Sequence, residues 1–436
     1  MNGLINFLEE KFVPVAQKVG SQKHLVAVRD GFIALMPLVI AGSMAVLLNA
    51  VLFRDVNGGG LIATWLEIDA STNALWGFFA EYLIPVMGNI WWGTFAMLAL
   101  FLSFTIGYSL GKSYDVSPLS TGVVSIAGYI AIQPQGAPGT WGNISWAYTN
   151  FGALLAAVLL SLIISQIFVT LMRKNITIKL PDNVPPAVGK AFAAIIPGLV
   201  AITVAAAVPV ILGGFGVEKN VFELIALVTE PLKALGQNVF AAMIYVFFIS
   251  LFWFFGLHGG NMMGAVTNAL YLDPLGANQL AAEAGQELPH IFTTTFFDSY
   301  VHLGGAGASL ALLLVIFLVS KREDYKAVSK IAFSGSLFQI NEPVMYGLPV
   351  VLNPILLIPF MIIPMILTFN AWLFTLIGIA GRTYVAIPWV TPPVLGAFLS
   401  TGGHIGSAFV ALLNLVIACV IYYPFVLLSN KEVEEK

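Results

Sequence analysis

Ten stretches of this chain, at 31–53, 91–111, 118–134, 147–171, 188–212, 238–257, 301–320, 351–369, 370–390 and 405–428, are apolar over nearly the length that crossing a bilayer demands. That length is about 20 residues of helix. The repetition decides the environment before anything else. Only 9% of the residues are charged, against about 25% in a soluble domain, so the chain cannot cover a surface that faces water. A β-barrel would show shorter segments of alternating polarity. The expectation is an all-α polytopic membrane protein of about ten transmembrane helices, with 73–90 as a further span or a surface helix.

Composition also removes several function classes. The net charge is −3 and no basic tract suggests nucleic acid. The single cysteine, Cys419, lies inside an apolar run, which excludes internal disulfides and leaves it as inert packing. No P-loop, no G-x-S-x-G and no metal-ligand cluster is present. No cofactor or metal is expected, and energy must come from an ion gradient or a partner chain.

The start of the chain is charged and has no compact apolar core, so it is not a signal peptide. Leu4, Leu8, Phe12, Val15 and Val19 recur at helical spacing, as in an interfacial helix that Pro14 interrupts. A second such helix is expected at 217–237, with Val221, Leu224, Val228, Leu232 and Leu235 on one face. It links an N-terminal half, 1–212, to a C-terminal half, 213–436. The positive-inside rule places the N-terminus and the basic loops 173–190 and 321–330 in the cytoplasm. Three spans separate those two loops, and three is odd. Either one loop breaks the rule or 259–300 holds another crossing.

Three stretches fit no ordinary span: 256–276, 293–307 and 333–347 are too polar and too rich in glycine. Irregular backbone at membrane depth is tolerated only against protein or a water-filled cavity, and broken segments in transporters build substrate sites. All three lie in the C-terminal half, which places the site there. Glu342, in "SLFQINEPVMYGLPVVLNP" (336–354), stands out most. A charge at the centre of a membrane helix costs roughly 3 kcal/mol, so the acid either has a task or sits at an interface or a helix start. His258 follows an aromatic run, and the glycines behind it permit close approach by a ligand. A structural donor is the alternative. Asn261 offers a donor and an acceptor to hydroxyl groups, or caps a helix. Trp253 and Trp389 can stack on a sugar face or belong to an interfacial belt. Asp298, His302, Arg382 and His404 are explained as well by local capping or ion pairing.

The stretches "LPDNVPPAVGKAFAAIIPG" (180–198), "GLHGGN" (256–261) and "INEPVMYGLPVVLNP" (340–354) resemble signatures of the membrane-spanning IIC component of bacterial sugar phosphotransferase systems, in its lactose, cellobiose and N,N′-diacetylchitobiose branch. The resemblance covers essentially the whole chain. It implies a homodimer held through the N-terminal half and a C-terminal half that binds sugar between two re-entrant hairpins. It implies an elevator-like movement in the bacterial cytoplasmic membrane, and phosphorylation of the sugar 6-hydroxyl by a phosphocysteine on IIB. IIB is expected on a separate polypeptide, because the chain carries no phosphocysteine loop. By matching motif, Glu342 and His258 are the pair at the 6-hydroxyl, Asn261 and Asn341 bind hydroxyls, and Trp253 and Trp389 stack on rings. The rival reading is a proton-coupled sugar symporter with Glu342 as proton carrier. A channel or purely structural protein fits poorly with a polar cluster confined to one half.

Overall fold

The computed structural model describes residues 21–134, 142–181, 185–255, 257–348, 350–351 and 353–434. Every regular element among them is helical. Six helical runs are long and apolar enough to cross a membrane: Lys23–Phe53, Ala74–Ser113, Leu154–Arg173, Val188–Gly214, Ile355–Leu376 and Ile405–Asn430. A seventh counts if Val221–Gly236 and Val239–Phe254 form one broken span, and Pro118–Ala131 and Ala306–Val319 are apolar but shorter. The expected N-terminal interfacial helix lies outside the described residues, as do 182–184 of the proline-rich loop.

Helix starts follow local chemistry. Ser117 accepts from Ser120 N–H ahead of Pro118, and Asn353 accepts from the amides of Ile355 and Leu356 ahead of Pro354. A polar cap followed by proline satisfies orphan amides where proline needs no donor.

The chain forms two compact units. One comprises, among the described residues, 21–39 together with 92–233. Its central helix, Leu98–Ser113, packs against Lys23–Ala34, Pro118–Ala131 and Leu154–Arg173. A Cβ on Gly107 would fall 2.5 Å from Ser125 Cβ, and one on Gly111 2.5 Å from Thr121 Oγ1. Small residues four apart let the two backbones close on each other, as they do between membrane helices.

The other unit comprises 40–91 and the chain from 234 onward. Its core gathers Trp253, Phe292, Phe296, Phe297, Tyr300 and Tyr422. The three expected broken stretches are all broken. Short helices Gly259–Thr267, Thr294–Tyr300 and Glu342–Gly347 stand in them, and Gly304, Gly305, Gly307 and Gln339 have positive φ. A fourth broken stretch corrects the expectation of two spans at 351–369 and 370–390. The chain makes one helix, Pro354–Leu376, which ends at Gly378 with φ 79°, and 377–394 is irregular. Pro388, Pro392 and Pro393 cannot continue a helix.

Side-chain hydroxyls and one amide tie 273–305 to 380–404. Thr293 bonds Thr383 at 2.6 Å, Ser299 bonds Ser400 at 2.9 Å, and Asn278 Nδ2 donates to the Thr383 carbonyl at 2.9 Å. Elsewhere Leu199, Val210, Leu318 and Ile405 stand largely exposed. In water such a surface is a liability, whereas lipid matches it.

Candidate functional site

The helix Val239–Phe254 delivers Trp253 to its last turn, and the chain then breaks before Gly259–Thr267. The break is tight. A Cβ at Gly259 would lie 2.1 Å from the Ile249 carbonyl oxygen and 2.7 Å from Trp253 Cδ1. Only glycine lets the short helix start against the preceding one.

His258 occupies that start. Its carbonyl accepts from Met262 N–H, and its Nδ1 accepts from Asn261 N–H at 3.1 Å. A backbone amide can only donate, so Nδ1 carries no proton and the neutral ring holds its proton on Nε2. Nε2 faces Glu342 Oε1 at 3.5 Å. The separation exceeds a good hydrogen bond of roughly 2.7–3.2 Å. The two side chains are 42% and 45% exposed, so neither is sealed from a solute. The Trp253 ring lies against the imidazole, centroids 4.4 Å apart at 44°. Trp253 is itself buried and underlies the histidine.

Glu342 opens its own short helix, Glu342–Gly347, with Pro343 next. An acid in the first turn complements the positive end of the helix. The segment is held by Gln339. Gln339 Oε1 accepts from the amides of Gly304 at 2.7 Å and Gly305 at 3.1 Å. Its Nε2 donates to the carbonyls of Asp298 at 3.0 Å and Thr391 at 3.4 Å. One buried amide therefore connects 298–305 and Thr391 to a point three residues before the acid. Sequence reasoning missed Gln339. Its only signal was an amide inside "SGSLFQIN", a stretch already read as irregular.

The structure thus brings Trp253, His258 and Glu342 together, with Asn261 joining through its backbone. The Asn261 side chain is exposed. Asn341 is buried, and its Nδ2 has no hydrogen-bond partner among the described residues. Trp389 is exposed, in the segment that reaches Gln339 at Thr391. No hydrogen bond or ring contact joins Trp389 to the His258–Glu342 pair among the described residues. Arg382 is engaged locally, donating to the Leu288 carbonyl and lying 3.7 Å from Glu287.

Residues 29–364 match the family model for the phosphotransferase system EIIC. The chain is 33% identical to the cellobiose-specific EIIC component of Lactococcus lactis, with 99% of each chain covered. It is 32% identical to the lichenan permease IIC component of Bacillus subtilis, covering 99% of this chain and 95% of that one. Among solved structures it is similar to the transporter ChbC, the IIC component of the N,N′-diacetylchitobiose-specific phosphotransferase system. The TM-score is 0.87 at 32% identity, with 98% of both chains covered.

Proposed function

The chain belongs to the phosphotransferase-system EIIC family, and from that premise we propose that it carries a β-linked disaccharide across the bacterial cytoplasmic membrane. It presents the sugar 6-hydroxyl at Glu342 and His258 to phosphorylated IIB. The similar proteins are named for cellobiose, lichenan and N,N′-diacetylchitobiose, all β-linked sugars. Membership of this family does not favour the symporter reading.

The observation that carries the site is the orientation of His258. With Nδ1 occupied by Asn261 N–H, the ring offers Nε2–H toward the Glu342 carboxylate across 3.5 Å. A hydroxyl accepts from the first and donates to the second, so the pair reads a group that does both. As the sugar oxygen bonds to phosphorus, the S–P bond of the phosphocysteine breaks and the thiolate leaves. The hydroxyl proton passes to Glu342. Asn261, Asn341 and Trp389 bind the remainder of the sugar, and Trp253 supports His258 from beneath.

The basic loops 173–190 and 321–330 support cytoplasmic termini. Gly259–Thr267, Asn268–Leu272 and Asp273–Glu283 form one uninterrupted helical run. The reading of both loops as cytoplasmic requires a further crossing within 259–300, and this run, which is not one of the six apolar spans, is where that reading puts it. Dimerisation through 1–212 and sugar binding by 213–436 complete the proposal.

Glu342→Gln tests it. The amide keeps shape and hydrogen bonding but loses charge and basicity. Equilibrium sugar binding is expected within about tenfold of wild type, or ~1.4 kcal/mol. Phosphorylation by phospho-IIB in vesicles is expected to fall more than about a hundredfold, within the usual range for general-base assistance. Equal losses in the two assays reduce Glu342 to a binding residue.

A further inference from the structure

A second group of polar side chains lies away from the His258–Glu342 pair. A cavity of about 280 Å³ is walled by the end of the helical run Lys23–Phe53, by Ile84–Thr94, by Asp273–Glu283 and by Tyr384. None of the residues assigned to the sugar pair lines it. Asn49 and Gln279 do, at 9% and 7% exposure. Asn49 Oδ1 and both polar atoms of the Gln279 amide have no hydrogen-bond partner among the described residues. Buried amides are nearly always partnered, and an orphaned one bears its full desolvation penalty. Three such atoms on one cavity point to something that satisfies them there.

The rest of the lining limits what that is. Arg54 and Glu283 stand 3.3 Å apart and neutralise each other. A phosphate or carboxylate therefore meets no unbalanced positive charge. Ile84 and Met87 provide apolar wall, and Trp91 an indole. Uncharged amides that both donate and accept match hydroxyl groups, and an indole beside aliphatic carbon matches the C–H face of a ring. Small-molecule pockets span roughly 300–1,000 Å³, so a cavity at the lower edge of that range suits a single ring.

We propose that this cavity is a second carbohydrate subsite, in which Asn49 and Gln279 bind the hydroxyls of one neutral glycosyl ring apart from the His258–Glu342 pair. The proposal rests on the reading of the chain as a sugar permease.

A reporter thiol tests it. The full-length chain carries Cys419→Ser and Ala282→Cys, since Ala282 lines the cavity. The modification rate by a small methanethiosulfonate is measured in detergent, with cellobiose or glucose as probe. At a probe concentration about ten times its dissociation constant, mass action slows modification about tenfold. The slowing is expected to persist when Trp253→Ala is added. It is expected to vanish when Asn49→Leu and Gln279→Leu are added. Leucine fills the same space without a polar group to satisfy. A monodisperse gel-filtration peak confirms folding, and either single leucine variant serves if the double variant aggregates. Rates indifferent to both probes overturn the proposal and leave the cavity to water. Slowing that disappears with Trp253→Ala overturns it too, as a distant effect of the other site. So does slowing that survives loss of both amides. Failure of the permease reading shows instead as no phospho-sugar formed by the wild-type chain in vesicles supplied with phospho-IIB, which the thiol assay does not measure.

Discussion

Gly259 and Gly260 are identical neighbours with opposite tolerance. A Cβ at Gly259 collides with the Ile249 carbonyl at 2.1 Å, while one at Gly260 meets only the His258 ring, Cε1 at 3.4 Å and Nδ1 at 3.6 Å, ordinary contacts. Gly259→Ala is therefore expected to push the His258 helix start off Trp253. It should weaken sugar binding by more than about tenfold, or ~1.4 kcal/mol, whereas Gly260→Ala leaves it unchanged. Calorimetric titration of both variants checks this, and equal behaviour would show that the close approach does not shape the site. Glu342 was legible in the sequence because a carboxylate among apolar residues is costly at membrane depth. His258 was legible through its glycines. Gln339 was not, because its importance lies in four backbone partners from 298–305 and 391, and linear order displays none of them. Trp253 was expected to offer a face to sugar, and the structure sets that face under the imidazole.

At the scale of elements, long apolar helices and glycine-rich breaks could be read from the chain, since each follows from local composition. The irregular segment 377–394 could not. Hydropathy counts "YVAIPWV" as membrane material and is blind to backbone that prolines prevent from winding. The expected amphipathic helix appears as Val221–Gly236. Val228 and Leu235 stand exposed on its apolar side, while Glu230 lies on another side near Lys233 at 3.4 Å. An apolar stripe left exposed on such a helix belongs at a lipid interface. In nanodiscs, on a Cys419→Ser background, Val228→Cys is expected to resist a water-soluble maleimide and Glu230→Cys to react quickly. Equal labelling rates would remove the helix from the interface.

For the whole molecule, scarcity of charge was enough to assign the membrane, and the family followed from three short motifs. The compact units were hidden, because 40–91 joins residues from 234 onward across nearly 150 positions of sequence. Light scattering in mild detergent at micromolar concentration is expected to give a protein mass twice 46.8 kDa. A mass of one chain would reject the proposed dimer. Gln339 has one more consequence, in time. Its partner carbonyl at Thr391 lies 52 residues later in the chain. The ribosome therefore delivers Glu342 to the membrane well before the last of its neighbour's four fastenings has been synthesised. The acid spends that interval without its final anchorage, and any nascent chain released short of 391 leaves it so.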